Sequence, residues 1–319
     1  MAVGSRPVVP SRLSPGGVAH GSRRTPKTAV GAYVALTKPR IIELLLITTI
    51  PTMVLAEQGW PDWDLIIATF VGGALAAGGA NTVNMYIDRD IDAKMARTRE
   101  RPLVTGVIEP RNALIFAAVL HVAAFLVLWF GANPLSAVLT LAASAFYIGV
   151  YTLWLKRTSR QNIVIGGAAG AVPVLVGWTA VQNSLDWPPL VLFIAMFLWT
   201  PPHFWALAVK YADDYREADV PMLPTVIPLE QAVVQMIWYT VALVVTTLVL
   251  VPVAELGWIY GISAVVLGAA FIAGTVMLKK HPTPASSMRL FNFSITYVTL
   301  LFGAMTVDVL VRHGLCNTH

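Results

Sequence analysis

The sequence predicts an all-α polytopic membrane protein, with nine transmembrane helices around a central cavity. Three observations predict it. Of 319 residues, only 12% are charged and 56% are hydrophobic, where a soluble domain carries about 25% charge. Charge-free windows long enough to cross a hydrocarbon core of about 30 Å recur along the chain. Lys and Arg fall in alternate loops, as the positive-inside rule requires of a polytopic chain. The single cysteine, Cys316, excludes an intrachain disulfide framework and a Cys-based zinc site.

The elements follow in order. Residues 1–30 are rich in Gly, Pro, Ser and Arg and lack an apolar signal core, which predicts a disordered basic cytosolic tail. The membrane domain is expected over 31–312, with a short extracytoplasmic tail at 313–319. The first span runs from about 41 to 56, with Glu43 near its start, where it reaches an Arg or the headgroup region. The window 65–87 is 23 residues, 161–185 is 25, 187–209 is 23, 231–254 is 24, 256–278 is 23 and 290–307 is 18. The window 112–155 is 44 residues, about 66 Å as one helix, twice the bilayer. It breaks at Gly131-Ala132-Asn133-Pro134 into two spans.

Of 22 basic residues, 21 lie in the segment 1–40 or in the loops after the second, fourth, sixth and eighth spans. The alternate loops hold none, and only Arg312 follows the ninth span. This predicts a plasma-membrane protein with a cytoplasmic N-terminus and an extracytoplasmic C-terminus. The net charge of +5 is then topology, and no nucleic-acid partner is expected.

Two loops break the pattern by gathering acid. Asn84, Asp88 and Asp92 recur at i, i+4 and i+8, so they share one helix face. Asp213, Asp214, Glu217 and Asp219 follow the sixth span. With Asp90, the two loops hold seven of the 17 acidic residues. A positive-inside loop has no topological need for acid; a solvated acidic loop is the plainer alternative. Oxygen ligands converging on one side suit Mg²⁺, which takes one or two carboxylates and leaves room for substrate phosphates. Arg97, Arg101, Lys156, Arg157 and Lys210 lie beside the acids, as a metal–diphosphate site requires, although lipid headgroup contact accounts equally for any single one. A charged diphosphate on so apolar a protein points to a polyprenyl diphosphate. Metal and cations stabilise the leaving group, and aromatic residues near spans four to six shelter an allylic cation.

Several blocks resemble a known family. Asn84-x-x-x-Asp88-x-x-x-Asp92, the second Asp-rich loop and the nine helices resemble the UbiA superfamily of intramembrane prenyltransferases. Five ordered blocks resemble its protohaem IX farnesyltransferase branch more closely: residues 37–45, 90–103, 161–167, Thr200-Pro201-Pro202-His203-Phe204-Trp205-Ala206-Leu207 and Val220-Pro221-Met222-Leu223-Pro224. The resemblance covers about 30–312 and implies a UbiA-type bundle. It implies transfer of farnesyl from farnesyl diphosphate to a vinyl group of haem B, with water added, to give haem O. It implies Asn84, Asp88, Asp92, Asp213 and Asp214 as metal ligands, the four carboxylates also being catalytic. Which of Glu217 and Asp219 joins the second motif stays open. Tyr151, Lys156 and Arg157 match a diphosphate-contacting stretch, and Arg97, Arg101 and Lys210 are phosphate partners by position.

His203 is expected to contact haem, as imidazole is a common haem ligand; packing at the Pro201-Pro202 bend is the alternative. His121, mid-span, has weaker support. Membrane lipid and, through the family, a haem A synthase are the further expected partners. The main rival within enzymes acts on an aromatic quinone precursor. A transporter would carry mid-membrane polar groups, and a haem-binding assembly protein needs no acidic pair of loops.

Overall fold

The computed structural model describes residues 28–314. The expected tail over 1–30 falls almost entirely outside them, as does the expected tail end at 315–319; the side chain of Glu43 is also outside. Among the described residues every regular element is helical. A short α1 (Ala29–Thr37) leads into α2 (Pro39–Glu57), then α3 (Trp63–Ile87), α4 (Arg89–Lys94), α5 (Pro110–Gly131) and α6 (Pro134–Phe146). A π-helix (Tyr147–Leu155) and α7 (Lys156–Thr158) extend α6. Then come α8 (Asn162–Gln182), α9 (Trp187–Lys210), α10 (Ala212–Glu217), α11 (Leu223–Val226), α12 (Leu229–Val253), α13 (Trp258–Lys280) and α14 (Pro284–His313).

Among the described residues eight helices are long and apolar enough to cross a membrane, with α6 to α7 forming one 25-residue span. The predicted first span corresponds to α2, whose stretch Ile47–Glu57 is apolar but shorter. The break foreseen at 131–134 is present. Asn133 caps α6, its Oδ1 accepting from the Ser136 amide at 2.9 Å, and its Nδ2 donates to the Thr179 carbonyl of α8 at 2.6 Å.

Helices α2, α3, α5, α6, α8, α9, α12, α13 and α14 touch in that order, and α14 returns to α2 to close the ring. Small residues let the backbones approach. A Cβ on Gly177 of α8 would lie 2.6 Å from the Thr49 carbonyl oxygen of α2. Trp63, Trp187 and Trp258 stand exposed at the starts of α3, α9 and α13, at the end whose loops lack basic residues, as interfacial aromatics do. There the buried Asp308 of α14 accepts from the amides of Gly257 (2.5 Å), Ile259 (3.1 Å) and Tyr260 (3.2 Å). It thereby satisfies the free N–H groups that open α13. The acidic loops gather at the opposite end.

Candidate active site

The chain at the end of α3 keeps Asn84, Asp88 and Asp92 on one face despite a small backbone break at Asp88. The amide of Asp88 bonds to the Asn84 carbonyl at 3.0 Å and that of Asp92 to the Asp88 carbonyl at 2.8 Å, so the i→i−4 ladder continues into α4. All three side chains are buried. A buried carboxylate needs partners, and the partners here are cations from three other segments. Lys156 pairs with Asp88 Oδ2. Arg101 donates to Asp92 Oδ2 at 2.5 Å. Lys38, in the corner between α1 and α2, donates to Asn84 Oδ1 at 2.8 Å. Asn84 Nδ2 donates in turn to Asp88 Oδ2 at 2.8 Å and to Thr152 Oγ1 at 3.2 Å. Burial, with Arg101 and Lys156 nearby, pulls the Lys38 ammonium well below the ordinary lysine range.

The π-helix brings Lys156 and Thr152 to this point. Its wider turn lets the Thr152 hydroxyl donate to the carbonyl of Tyr147, five residues back, at 2.9 Å. Such segments are rare and favour functional sites. Tyr151 stacks on Tyr147 with ring centroids 5.4 Å apart at 21°, and its ring lies over Gly166 of α8, where a larger residue has no room.

The second acidic loop meets the first through Arg97. Its Nη2 donates to Tyr215 Oη at 3.1 Å, and its Nε lies 3.8 Å from Asp214 Oδ2. Lys94 and Asp219 add a second, exposed link at 3.6 Å. The four carboxylates do not converge as the sequence suggests. Asp214 faces Arg97 with its side chain 19% exposed, whereas Asp213 is 92% exposed and pairs with Arg216 on its own turn. Among the described residues no three His, Cys, Asp or Glu side chains group closely enough to hold a metal ion by themselves. Among the buried atoms that lack a hydrogen bond, two belong to charged side chains of this site: Asp88 Oδ1 and Arg97 Nε. An orphan acceptor in the first motif and an orphan donor where the two loops meet fit a cation and an anion respectively.

Two expected phosphate partners point elsewhere. Arg157 forms a fork on Asp90, 2.7 Å at both nitrogens, and donates to the Ile87 carbonyl at 2.9 Å. That guanidinium lowers the Asp90 carboxyl to about 2, and Arg157 stays 3.9 Å from Asp88. Lys210 is exposed, and its contact is with the Tyr211 ring at 5.3 Å. Lys38, Thr152 and Tyr215 are site residues that sequence reasoning left unassigned. For Lys38 the signal was a basic residue immediately before Pro39 at the mouth of the first span.

His203 lies on α9 seven residues before Lys210, about 10 Å deeper along the helix axis. Its ring is buried between Trp199 (4.2 Å, 19°) and Phe291 (4.5 Å, 25°). Its Nδ1 stands 2.6 Å from Ser294 Oγ. The Ser294 hydroxyl donates to the Phe291 carbonyl at 2.7 Å. Serine has one hydroxyl hydrogen, so Nδ1 carries the proton and Nε2 holds the lone pair. His121 Nδ1 instead bonds to the Ala117 carbonyl of its own helix at 2.8 Å.

Comparison with known proteins gives the family and the fold. The UbiA prenyltransferase family matches residues 45–299. A protoheme IX farnesyltransferase of Paenarthrobacter aurescens (strain TC1) is 51% identical over 292 residues, covering 90% of this chain and 91% of the relative. One of Kineococcus radiotolerans is 51% identical, covering 95% of each. A solved structure of digeranylgeranylglyceryl phosphate synthase superposes with a TM-score of 0.73 at 18% identity, over 88% of this chain and 99% of the other. A UbiA homolog from Archaeoglobus fulgidus bound to DMAPP and Mg²⁺ superposes with a TM-score of 0.62 at 18% identity, over the same shares of the two chains. Family match, half-identical relatives and shared fold agree along nearly the whole described chain: it belongs to the UbiA prenyltransferase family.

Proposed function

We propose that the chain transfers farnesyl from farnesyl diphosphate to a vinyl group of haem B, with water added, to give haem O and diphosphate. The observation that carries this reading is that relatives about half identical, over nine-tenths of both chains, are named protoheme IX farnesyltransferase. The buried acid–cation knot supports it chemically. The orphan Asp88 Oδ1 makes Asp88 the first candidate ligand for Mg²⁺, with Asn84 and Asp92 on the same face and Asp214 joined to that loop through Arg97. Asp213, expected in the second motif through the resemblance, pairs at the surface with Arg216, and the role proposed for it is secondary to that of Asp214. When bound, Mg²⁺ supplies charge neutralisation at the leaving diphosphate.

The chain's own residues do the rest. Lys156, Arg101 and Arg97 take diphosphate oxygens in charge-assisted hydrogen bonds, which stabilise the departing group most when its charge is greatest. Tyr151, beside Thr152 on the π-helix, offers an aromatic face to the allylic cation. His203 Nε2 is the proposed haem contact, its lone pair fixed by Ser294. The buried surroundings keep water from capturing the cation before the vinyl group does.

We place the N-terminus and the acidic loops on the cytoplasmic side of the plasma membrane, because 21 of 22 basic residues fall on that side. A haem A synthase is the proposed recipient of the product. The test is mass analysis of haem extracted from cells expressing the chain. A farnesylated, hydroxylated haem is expected; unchanged haem B beside a prenylated quinone precursor refutes the reading.

A further inference from the structure

The corner between α1 and α2 holds a lysine where the backbone disfavours one. Lys38 has φ of 52°, a left-handed conformation that glycine or asparagine adopts at lower cost. The corner is pinned on α3: Asn81 Nδ2 donates to the Thr37 carbonyl at 3.2 Å, and Pro39 opens α2. Its side chain goes inward, to Asn84 Oδ1. With that contact, three of the five side-chain oxygens of the Asn84–Asp88–Asp92 face are committed, and Asp88 Oδ1 is left without a hydrogen bond. Asn84 Oδ1 is held by Lys38, Asp88 Oδ2 by Lys156 and Asn84, and Asp92 Oδ2 by Arg101. Three cations thus bear on two buried carboxylates.

That imbalance has a consequence for the order of binding. A bare divalent cation drawn to the free Asp88 Oδ1 meets a surplus of positive charge and must displace the Lys38 ammonium to reach Asn84 Oδ1 as well. A diphosphate brings negative charge and new partners for the displaced ammonium and guanidinium groups. We propose that Lys38 is a positioning residue of the transfer site: it holds the Asn84 carbonyl closed against metal in the free protein and transfers its ammonium to the diphosphate, so that metal and diphosphate enter together.

This rests on the metal–diphosphate reading above, and the test separates the two. Mn²⁺ binding to the purified full chain in detergent is measured by electron paramagnetic resonance, with and without inorganic pyrophosphate. The wild type is expected to bind Mn²⁺ weakly alone and at least tenfold more tightly with pyrophosphate. Lys38→Met is expected to bind Mn²⁺ alone more tightly than the wild type. Its gain from pyrophosphate should shrink by roughly 10- to 100-fold, the worth of one hydrogen bond to a charged group. Lys38→Arg should keep most of the gain. Lys38→Gln is the second neutral variant, with chromatographic homogeneity checking that each protein is folded. Neutral variants matching the wild type in both conditions overturn the role of Lys38 and leave the site reading standing. A wild type that binds no Mn²⁺ even with pyrophosphate overturns the site reading and the proposal with it.

Discussion

The Asp88–Lys156 pair offers the sharpest separation of scaffold from chemistry. Asp88 is fully buried and the Lys156 side chain is 15% exposed. Removing one partner strands the other charge in a low-dielectric place, which costs about 3–5 kcal/mol. Asp88→Asn retains an acceptor for the ammonium, so its cost belongs at the lower end, about 3 kcal/mol. Lys156→Met leaves Asp88 with only Asn84 as a hydrogen-bond donor and belongs higher, about 4–5 kcal/mol. The double variant strands neither charge. Its total loss should be no more than that of either single change, giving a coupling of at least about 4 kcal/mol, well above the roughly 0.5 kcal/mol of independent sites. Equilibrium unfolding in detergent micelles, followed by tryptophan fluorescence, reads the cycle. Farnesyl transfer reads differently: both singles and the double should lose about 100-fold or more, as when a group stabilising developing charge is removed. A double variant that recovers transfer along with stability refutes the reasoning, since the pair would then only hold the helices together.

The remaining predictions separate neighbouring residues. Asp214→Asn should lower farnesyl transfer by about tenfold or more, the scale of a lost charge-assisted contact, whereas Asp213→Asn, at an exposed pair of little worth, should stay within about twofold; steady-state assays compare them, and equal losses refute the orientation argued for this loop. Ser294→Ala should weaken haem binding and shift the haem absorption bands by freeing the His203 tautomer, with His203→Ala doing so more strongly; a Ser294→Ala spectrum identical to wild type counts against the hydroxyl's role. Asp90, its carboxyl lowered to about 2 by Arg157, adds stability that is present above the unfolded value of about 4 and lost as pH falls toward 2. Because this pair is largely exposed it is worth at most about 1 kcal/mol, so Asp90→Asn should lower stability equally and slightly at pH 5 and pH 8; a difference that changes between those values refutes the assignment.

Much of this was legible in the sequence because the membrane imposes simple rules. Span length and the break at Asn133-Pro134 follow from bilayer thickness and helix rise, and the shared face of Asn84, Asp88 and Asp92 follows from helical periodicity. The first span was harder. Its helix α2 starts at a proline just after a charged corner, and the apolar stretch Ile47–Glu57 is short, so the apolar pattern outlines it less sharply. The partners of the acids were not legible. Lys38 and Asn84 are 46 residues apart, Lys156 and Asp88 68, and Arg97 and Tyr215 118. Long flexible side chains can reach any of several carboxylates once the helices are assembled. The π-helix was equally hidden, since Tyr147–Leu155 is a uniformly apolar run that fits an α-helix by composition. The divergence of Asp213 from Asp214 turns on the pitch of the short α10, where one residue of rotation decides between Arg216 and Arg97.

Haem chemistry in cells expressing the chain tests the central claim most directly. Haem extracted after expression of the wild type should contain a species equal in mass to haem B plus a farnesyl group and one hydroxyl, absent with Asp88→Asn protein present in the membrane at the same level. Haem B unchanged in both, or the farnesylated species formed equally well by the Asp88→Asn variant, would contradict the account.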